Sequence, residues 1–291
     1  MSRHVTVGVD GAPESGAAAD WAAREALVRK VPLRIVHAYE WSGAGTNLAG
    51  PDEPRRWADE LLAEVAEELQ RGHPSLEIST RLLSGQPAAA LAAEADEADL
   101  LVLGSRGLSG VMGFLLGSVG RQTISMTEQP VVLVRMPGQA AAPQVTAPPR
   151  PARDVVVGVD INQLGDPLLA FGFEESARHR DRLLALYGWS IPPVVRDSAA
   201  LLAAQREVSE DVARRLTEIL APWRRKFPSV QVVERSPVGS PSQLLVDAAA
   251  DADLVVVGRC VRKAILGTRI GSVAQAVIHH CAAPVVVVAY R

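Results

Sequence analysis

VTVGVD at residues 5–10 and VVVGVD at residues 155–160 are one short strand written twice, each closed by an aspartate. The repetition extends well beyond these six residues. GQPAAALAAEADEADLLVLG, from Gly85 to Gly104, returns as GSPSQLLVDAAADADLVVVG, from Gly239 to Gly258. The register then holds without a gap, with Gly117-Ser118-Val119 matching Gly271-Ser272-Val273 and Pro130-Val131-Val132 matching Pro284-Val285-Val286. Between the copies lies PGQAAAPQVTAPPRPA, a Pro/Ala-rich stretch of the kind that forms an extended, poorly packed linker. Repeats at this scale fix the organisation before any finer reading. The chain is expected to hold two copies of one domain, at 1–136 and 153–291, joined by a linker at 137–152.

Each copy alternates two periodicities. In the first, VTVGVD, LRIVHAY, LEISTRLL, DLLVLG and PVVLVR are short, aliphatic or β-branched, and bounded by breakers, as strands are. Helical patterns separate them. One runs from about Glu14 to Lys30, and another begins after Pro54 and sets Trp57, Leu61, Val65 and Leu69 on one face. Two more follow Gln86 and Ser118. Strands alternating with helices imply parallel strands, right-handed crossovers and a sheet covered on both faces. The fold class is therefore α/β: two tandem doubly wound, parallel five-stranded sheets flanked by helices, Rossmann-like in plan. Ligands of such sheets lie beyond the carboxyl ends of the strands, where the strand order reverses. Asp10 closes the first strand and Gly104 the fourth, so neighbouring strands at the reversal would bring both to one crevice.

Bulk properties narrow the function classes. The 291 residues are 48% hydrophobic, enough for sizeable cores, and abundant alanine favours helices packed closely on a sheet. Thirty basic and 33 acidic residues leave a net charge of −3, which gives no electrostatic case for nucleic acid as a partner. Cys260 and Cys281 have neither metal-ligand spacing nor the makings of a disulfide framework, which points to a reducing cytoplasm. No apolar run approaches the length that spans a bilayer, so membrane insertion is not expected. His279 and His280 lack a matching ligand cluster and read as surface or packing residues.

The stretch GSRGLSGVMGFLLGS, residues 104–118, is where chemistry is expected. Gly104 and Gly107 can turn the backbone away from the strand and admit a ligand without Cβ interference. Gly117-Ser118 stands where the next helix begins, and unpaired N–H groups there suit an anion. The Ser118 hydroxyl serves either as a helix cap or as a phosphate contact. The usual phosphate-binding lysine is missing. A helix terminus contributes only about 0.3–2 kcal/mol toward a negative group, so a polyphosphate here needs a divalent cation or Arg106 as well. No carboxylate stands in the sequence as an obvious water-activating base near Gly117.

These features resemble the universal stress proteins, specifically their tandem two-domain type. The resemblance rests on VGVDG at the start, on the signature G-x2-G-x9-G-[ST] complete as Gly104, Gly107, Gly117 and Ser118, and on the closing GSV and PVVLVR. It implies an adenine-nucleotide α-hydrolase-like fold that binds ATP, with Mg²⁺, and acts as a stress-response regulator with slow or no hydrolysis. By the same resemblance Asp10 contacts the nucleoside and Ala38 offers its backbone to the adenine edge. Gly104, Arg106 and Gly107 form the ribose and phosphate turn, and Gly117, Ser118 and Val119 receive the phosphates. His37 reads instead as a packing residue. The alternative is a genuine ATPase or adenylating enzyme of the same fold group, although no SGGxDS-type loop or HIGH-like pair is present. The closing strands PVVLVR and PVVVVAY are apolar and can pair between the domains, and a homodimer and an unidentified regulatory protein partner complete the expectation.

The second copy keeps Asp160, Gly258, Gly271 and Ser272 but places Val261 where Gly107 stands and Ile161 where Gly11 stands. A β-branched residue is costly where φ must be positive or a phosphate must approach. The second domain is therefore expected to bind nucleotide weakly or not at all.

Overall fold

The structure, a computed structural model, describes residues 4–40, 53–105, 117–136, 153–163, 165–190, 199–261 and 270–291. These fall into two compact units. The first contains β1 (Val5–Gly8), α1 (Pro13–Arg29), β2 (Leu33–Tyr39), α2 (Glu53–Gly72), β3 (Ile78–Ser84), α3 (Pro87–Asp96), β4 (Leu100–Gly104), α4 (Ser118–Met126) and β5 (Val131–Val134). The second repeats the order with β6 (Asp154–Gly158), α5 (Asp166–His179), β7 (Arg182–Leu186), α6 (Ala199–Lys226), β8 (Val232–Arg235), α7 (Pro241–Ala248), β9 (Ala252–Cys260), α8 (Ser272–His280) and β10 (Val285–Tyr290).

Within the first unit the strands run in the order β3-β2-β1-β4-β5, and within the second β8-β7-β6-β9-β10. The neighbouring pairs inside each unit are parallel. Val5 is partnered by Leu33 on one side and Leu100 on the other, so the order reverses between β1 and β4. That reversal is the crevice expected from the sequence.

Sheets covered on both faces need strands that are apolar throughout. Leu100–Leu103 and Val131–Val134 are buried residue by residue, and so are Val155–Val157 and Val285–Val288. α1 meets its sheet through Ala18, Ala19, Ala22, Ala23 and Ala26, whose small side chains permit close approach. In α2 the deepest positions are Ala58, Leu62 and Leu69, while Leu61 and Val65 are only half-buried. The expected stripe is thus rotated, and Trp57, at its leading end, remains half exposed. In the second unit Phe173 is fully buried and stacks on Trp223 and Phe227, at ring separations of 6.0 and 5.6 Å. Among the described residues no helix is long and apolar enough to cross a membrane.

One buried carboxylate ties α3 to the sheet. Glu94 accepts from Arg34 Nη1 of β2 at 2.7 Å and from Arg81 Nη1 of β3 at 2.9 Å, with His4 Nε2 at 3.8 Å. A carboxylate this deeply buried is stable only while its oxygens are paired with charge. Glu94→Gln removes that charge from both arginines. It is expected to lower the unfolding free energy by about 1.5–3 kcal/mol, the range of hydrogen bonds to charged groups, in a urea titration.

Candidate functional site

Each strand on the two sides of the reversal ends in a segment with its own conformational demand. β1 gives way to Asp10–Ala12. Gly11 has φ +79°, and a Cβ there would lie 3.3 Å from Trp57 Cζ2, so the turn needs glycine twice over. The Asp10 carboxylate accepts from the Ala12 amide through Oδ1 at 3.1 Å, an Asx turn. Ser15, buried in the first turn of α1, donates to the Ala12 carbonyl at 2.8 Å and accepts from the Asp10 amide at 3.3 Å. Three short bonds thus hold the Asp10–Ser15 segment in one shape.

β4 ends at Gly104, whose glycine answers to packing. A Cβ there would lie 2.7 Å from the Glu14 carbonyl carbon, 2.8 Å from its oxygen and 2.8 Å from the Ser15 amide nitrogen. Backbone atoms cannot yield as a flexible side chain can. The first turn of α1 therefore sits on the end of β4 only because residue 104 has no side chain. Gly117 is the opposite case. It caps α4 at φ −55°, ψ 157°, a conformation open to any residue, and a Cβ there would meet nothing within 4 Å.

These ends enclose a cavity of roughly 280 Å³. Asp10, Ala38, Gly104, Gly117, Ser118 and Val119, six of the eight residues expected from the sequence, line it together. Arg106 and Gly107 lie outside the described residues. The wall also includes Glu14, Ser15, His37, Pro87 and Leu91, which sequence reading did not select. Glu14 is a second acidic residue in the wall of the cavity that Gly117 and Ser118 line. Its signal was faint in the sequence, where an acidic residue in the first turn of a helix has a sufficient explanation in the helix dipole.

The chemical offer is specific. At the α4 start the Ser118, Val119 and Gly120 amides belong to the first helical turn, where N–H groups have no partner within the helix. Asp10 supplies an acceptor suited to hydroxyl or amino donors. Ala38 supplies backbone. Among the described lining residues the charged side chains are Asp10 and Glu14, both acidic, so a polyphosphate finds amides here but no cationic side chain. A divalent cation shared between the phosphates and a carboxylate fits this donor set.

The corresponding crevice of the second unit is built differently. Counting in register from β1 and β6, Ala38 corresponds to Gly188 and His37 to Tyr187. A Cβ on Gly188 would lie 2.7 Å from Pro241 Cα, so the α7 start rests directly on the β7 end. In the first unit the matching residues, Ala38 and Pro87, both face the cavity. Ile161 is buried where Gly11 makes its turn. The Tyr290 ring covers Gly258, whose Cβ would lie 2.5 Å from Cε1, and the Tyr290 hydroxyl donates to Gln163 Oε1 at 3.2 Å. Val261 is unstrained: β9 continues two residues beyond Gly258, and the Val261 amide donates to the Tyr290 carbonyl at 2.7 Å. The helix cap at Gly271, by contrast, repeats that at Gly117, with ψ 156° against 157°.

Comparison with known proteins adds the context of a family. The model of the universal stress protein family matches residues 1–135 and again 151–289. A universal stress protein of Mycobacterium tuberculosis is 31% identical over 291 residues, covering 97% of this chain and 96% of its own. Another from Mycolicibacterium smegmatis is 30% identical over 300 residues, covering 99% of this chain and 97% of its own. The crystal structure of a universal stress protein from Archaeoglobus fulgidus shares the fold, with a TM-score of 0.70 at 16% identity over 99% of each chain.

The two glycines separate fold from ligand. Gly104→Ala is expected to cost about 1–3 kcal/mol of stability through overpacking against α1, read as a lower urea midpoint. Gly117→Ala should leave that midpoint unchanged, because its φ and ψ suit alanine and its Cβ would meet no atom of the described residues within 4 Å, while weakening whatever ligand approaches the α4 start.

Proposed function

This chain belongs to the universal stress protein family, and from that premise we propose that it binds ATP with Mg²⁺ in its first domain. It then acts as a cytoplasmic, nucleotide-dependent regulator of a stress response. The domains are taken as residues 1–136 and 153–291, with 137–152 between them. The observation that carries the reading is the single cavity lined by Asp10, Ala38 and Gly117–Val119. Asp10 accepts from ribose hydroxyls, the Ala38 backbone meets the base edge, and the α4 amides take phosphate oxygens. Arg106 and Gly107 extend the phosphate turn. Output comes through a change of conformation or association with a protein partner, because binding favours whichever state of the protein holds the ligand better.

One nucleotide per chain is expected. The second domain retains the phosphate-end cap at Gly271-Ser272, but Pro241, Ile161 and Tyr290 occupy its nucleoside end. Quantifying adenine nucleotide released on denaturation, followed by titration calorimetry, checks this. About one equivalent is expected, and two would refute the closed second site. Chelating Mg²⁺ should weaken ATP far more than adenosine, because the cavity has no described cationic side chain to replace the metal.

Glu14 is the specific observation on the side of an ATPase, since this acidic residue lines the same cavity as the α4 start. Following ADP over many equivalents of ATP separates the two readings. Little ADP supports the regulator, whereas turnover abolished by Glu14→Gln would make the protein an enzyme with Glu14 as its base.

A further inference from the structure

We infer that His37 is a positioning residue: its ring occupies the Val9 carbonyl and thereby leaves the Ala38 amide open to the base of a bound nucleotide. The inference rests on the adenine-nucleotide reading above and concerns how that site is kept open.

The argument begins with the alternation of β2. In a parallel ladder, successive residues of a strand direct their amide and carbonyl to opposite neighbours. The Pro32 and Val36 carbonyls accept from the Val5 and Val9 amides at 3.0 and 2.9 Å, so even-numbered residues of β2 face β1. The Leu33 amide donates to the Glu77 carbonyl at 2.9 Å, and the Tyr39 carbonyl accepts from Gly85 at 3.2 Å, so odd-numbered residues face β3. Ala38 therefore directs both its N–H and its C=O toward β1. The next rung of the ladder would run from the Ala38 amide to the Val9 carbonyl. That rung is not made among the described residues. Instead, His37 Nδ1 lies 2.7 Å from the Val9 oxygen.

A carbonyl oxygen only accepts, so Nδ1 carries the hydrogen of this bond. The ring is held in place by Trp57, edge-on at 5.4 Å and 80°, and Trp57 in turn packs over Gly11. His37 is itself buried. The bond gives the Val9 carbonyl the donor that the missing rung withholds. β1 can then part from β2 one residue early without stranding a buried acceptor, whose loss of hydration would otherwise be costly. The gap left by the parting is the part of the cavity that Ala38 lines.

The second domain supplies an independent contrast. Tyr187 stands at the His37 position and has no ring nitrogen to offer Val159. Its hydroxyl instead accepts from Asn162 Nδ2 at 3.3 Å. There the residue corresponding to Ala38, Gly188, lies against Pro241. The rung from the Gly188 amide to the Val159 carbonyl is likewise not made among the described residues, so the strands part in both domains, and what the first domain adds is a side-chain donor for the carbonyl left by the parting.

The test uses the full chain and three forms: unaltered, His37→Leu and His37→Asn, whose amide nitrogen can take the place of Nδ1. Calorimetry with Mg-ATP and, separately, Mg-tripolyphosphate divides base recognition from phosphate recognition. His37→Leu is expected to weaken ATP roughly tenfold, the worth of one hydrogen bond to the base, and to leave tripolyphosphate unchanged. His37→Asn should stay within about threefold of the unaltered chain, since a donor is restored. Unchanged ATP affinity in His37→Leu, or equal losses for both ligands, would overturn the inference.

Amide exchange by NMR on the nucleotide-free protein keeps the two levels apart. The Ala38 amide should exchange rapidly in the unaltered chain and become protected in His37→Leu, as the rung to Val9 closes. Equal exchange in both forms overturns the positioning role whether or not ATP binds. An unaltered chain that takes up no ATP while the exchange result holds would defeat the nucleotide reading and leave the strand-parting role of His37 in place.

Discussion

The first turn of α1 rests on the end of β4 at a point where residue 104 has no side chain. The clearance is set by backbone atoms of Glu14 and Ser15, which a Cβ would meet at under 3 Å. Much of the site follows from that contact. It fixes the start of α1 beside the strand reversal, and with it the Asp10–Ser15 segment, which Ser15 and the Asx turn then hold rigid. It also brings Glu14 into the cavity wall. Gly104 is therefore a residue of the fold that places a site, whereas at Gly117 neither the backbone angles nor the described neighbours require a glycine.

The two domains show how one architecture can be open or closed at the same place. Both have the same strand order, the same aspartate turn, and the same glycine-serine cap at the fourth helix. They part at the nucleoside end. In both, the rung beyond Val9 or Val159 is not made among the described residues, but in the first domain the Val9 carbonyl is satisfied by a side chain. In the second, α7 settles onto Gly188, while Tyr290 fills the space over Gly258. Small residues have opposite consequences in the two settings. Ala38, with its single methyl, lines an open cavity, and at Gly188 the absence of that methyl lets a proline lie directly on the strand end.

Sequence reading rested the expected weakness of the second domain on Val261 and Ile161, and the structure supplies different physical detail at both. Val261 directly follows β9, does not have a positive φ, and its amide is hydrogen-bonded to the Tyr290 carbonyl. Pro241 instead lies against Gly188, Tyr290 lies over Gly258, and Ile161 is buried. Gly258, which sequence comparison counts as a retained motif residue, is accounted for in the structure by the aromatic ring packed upon it.

The sequence by itself determined the tandem organisation, the alternating α/β plan of each copy, and six residues that meet in one cavity. Those features are carried by local periodicity, by breakers and by glycine spacing, all of which are written along the chain. Only the tertiary structure decided that Glu14 lines the cavity, that His37 answers to Val9, that Trp57 braces both His37 and Gly11, and that Pro241 and Tyr290 pack on Gly188 and Gly258. The reason is physical. Each of these is a contact between residues from 20 to 127 positions apart in the chain, or a place in the wall of one cavity. Strand order and helix packing set such relations after the local pattern has already been satisfied.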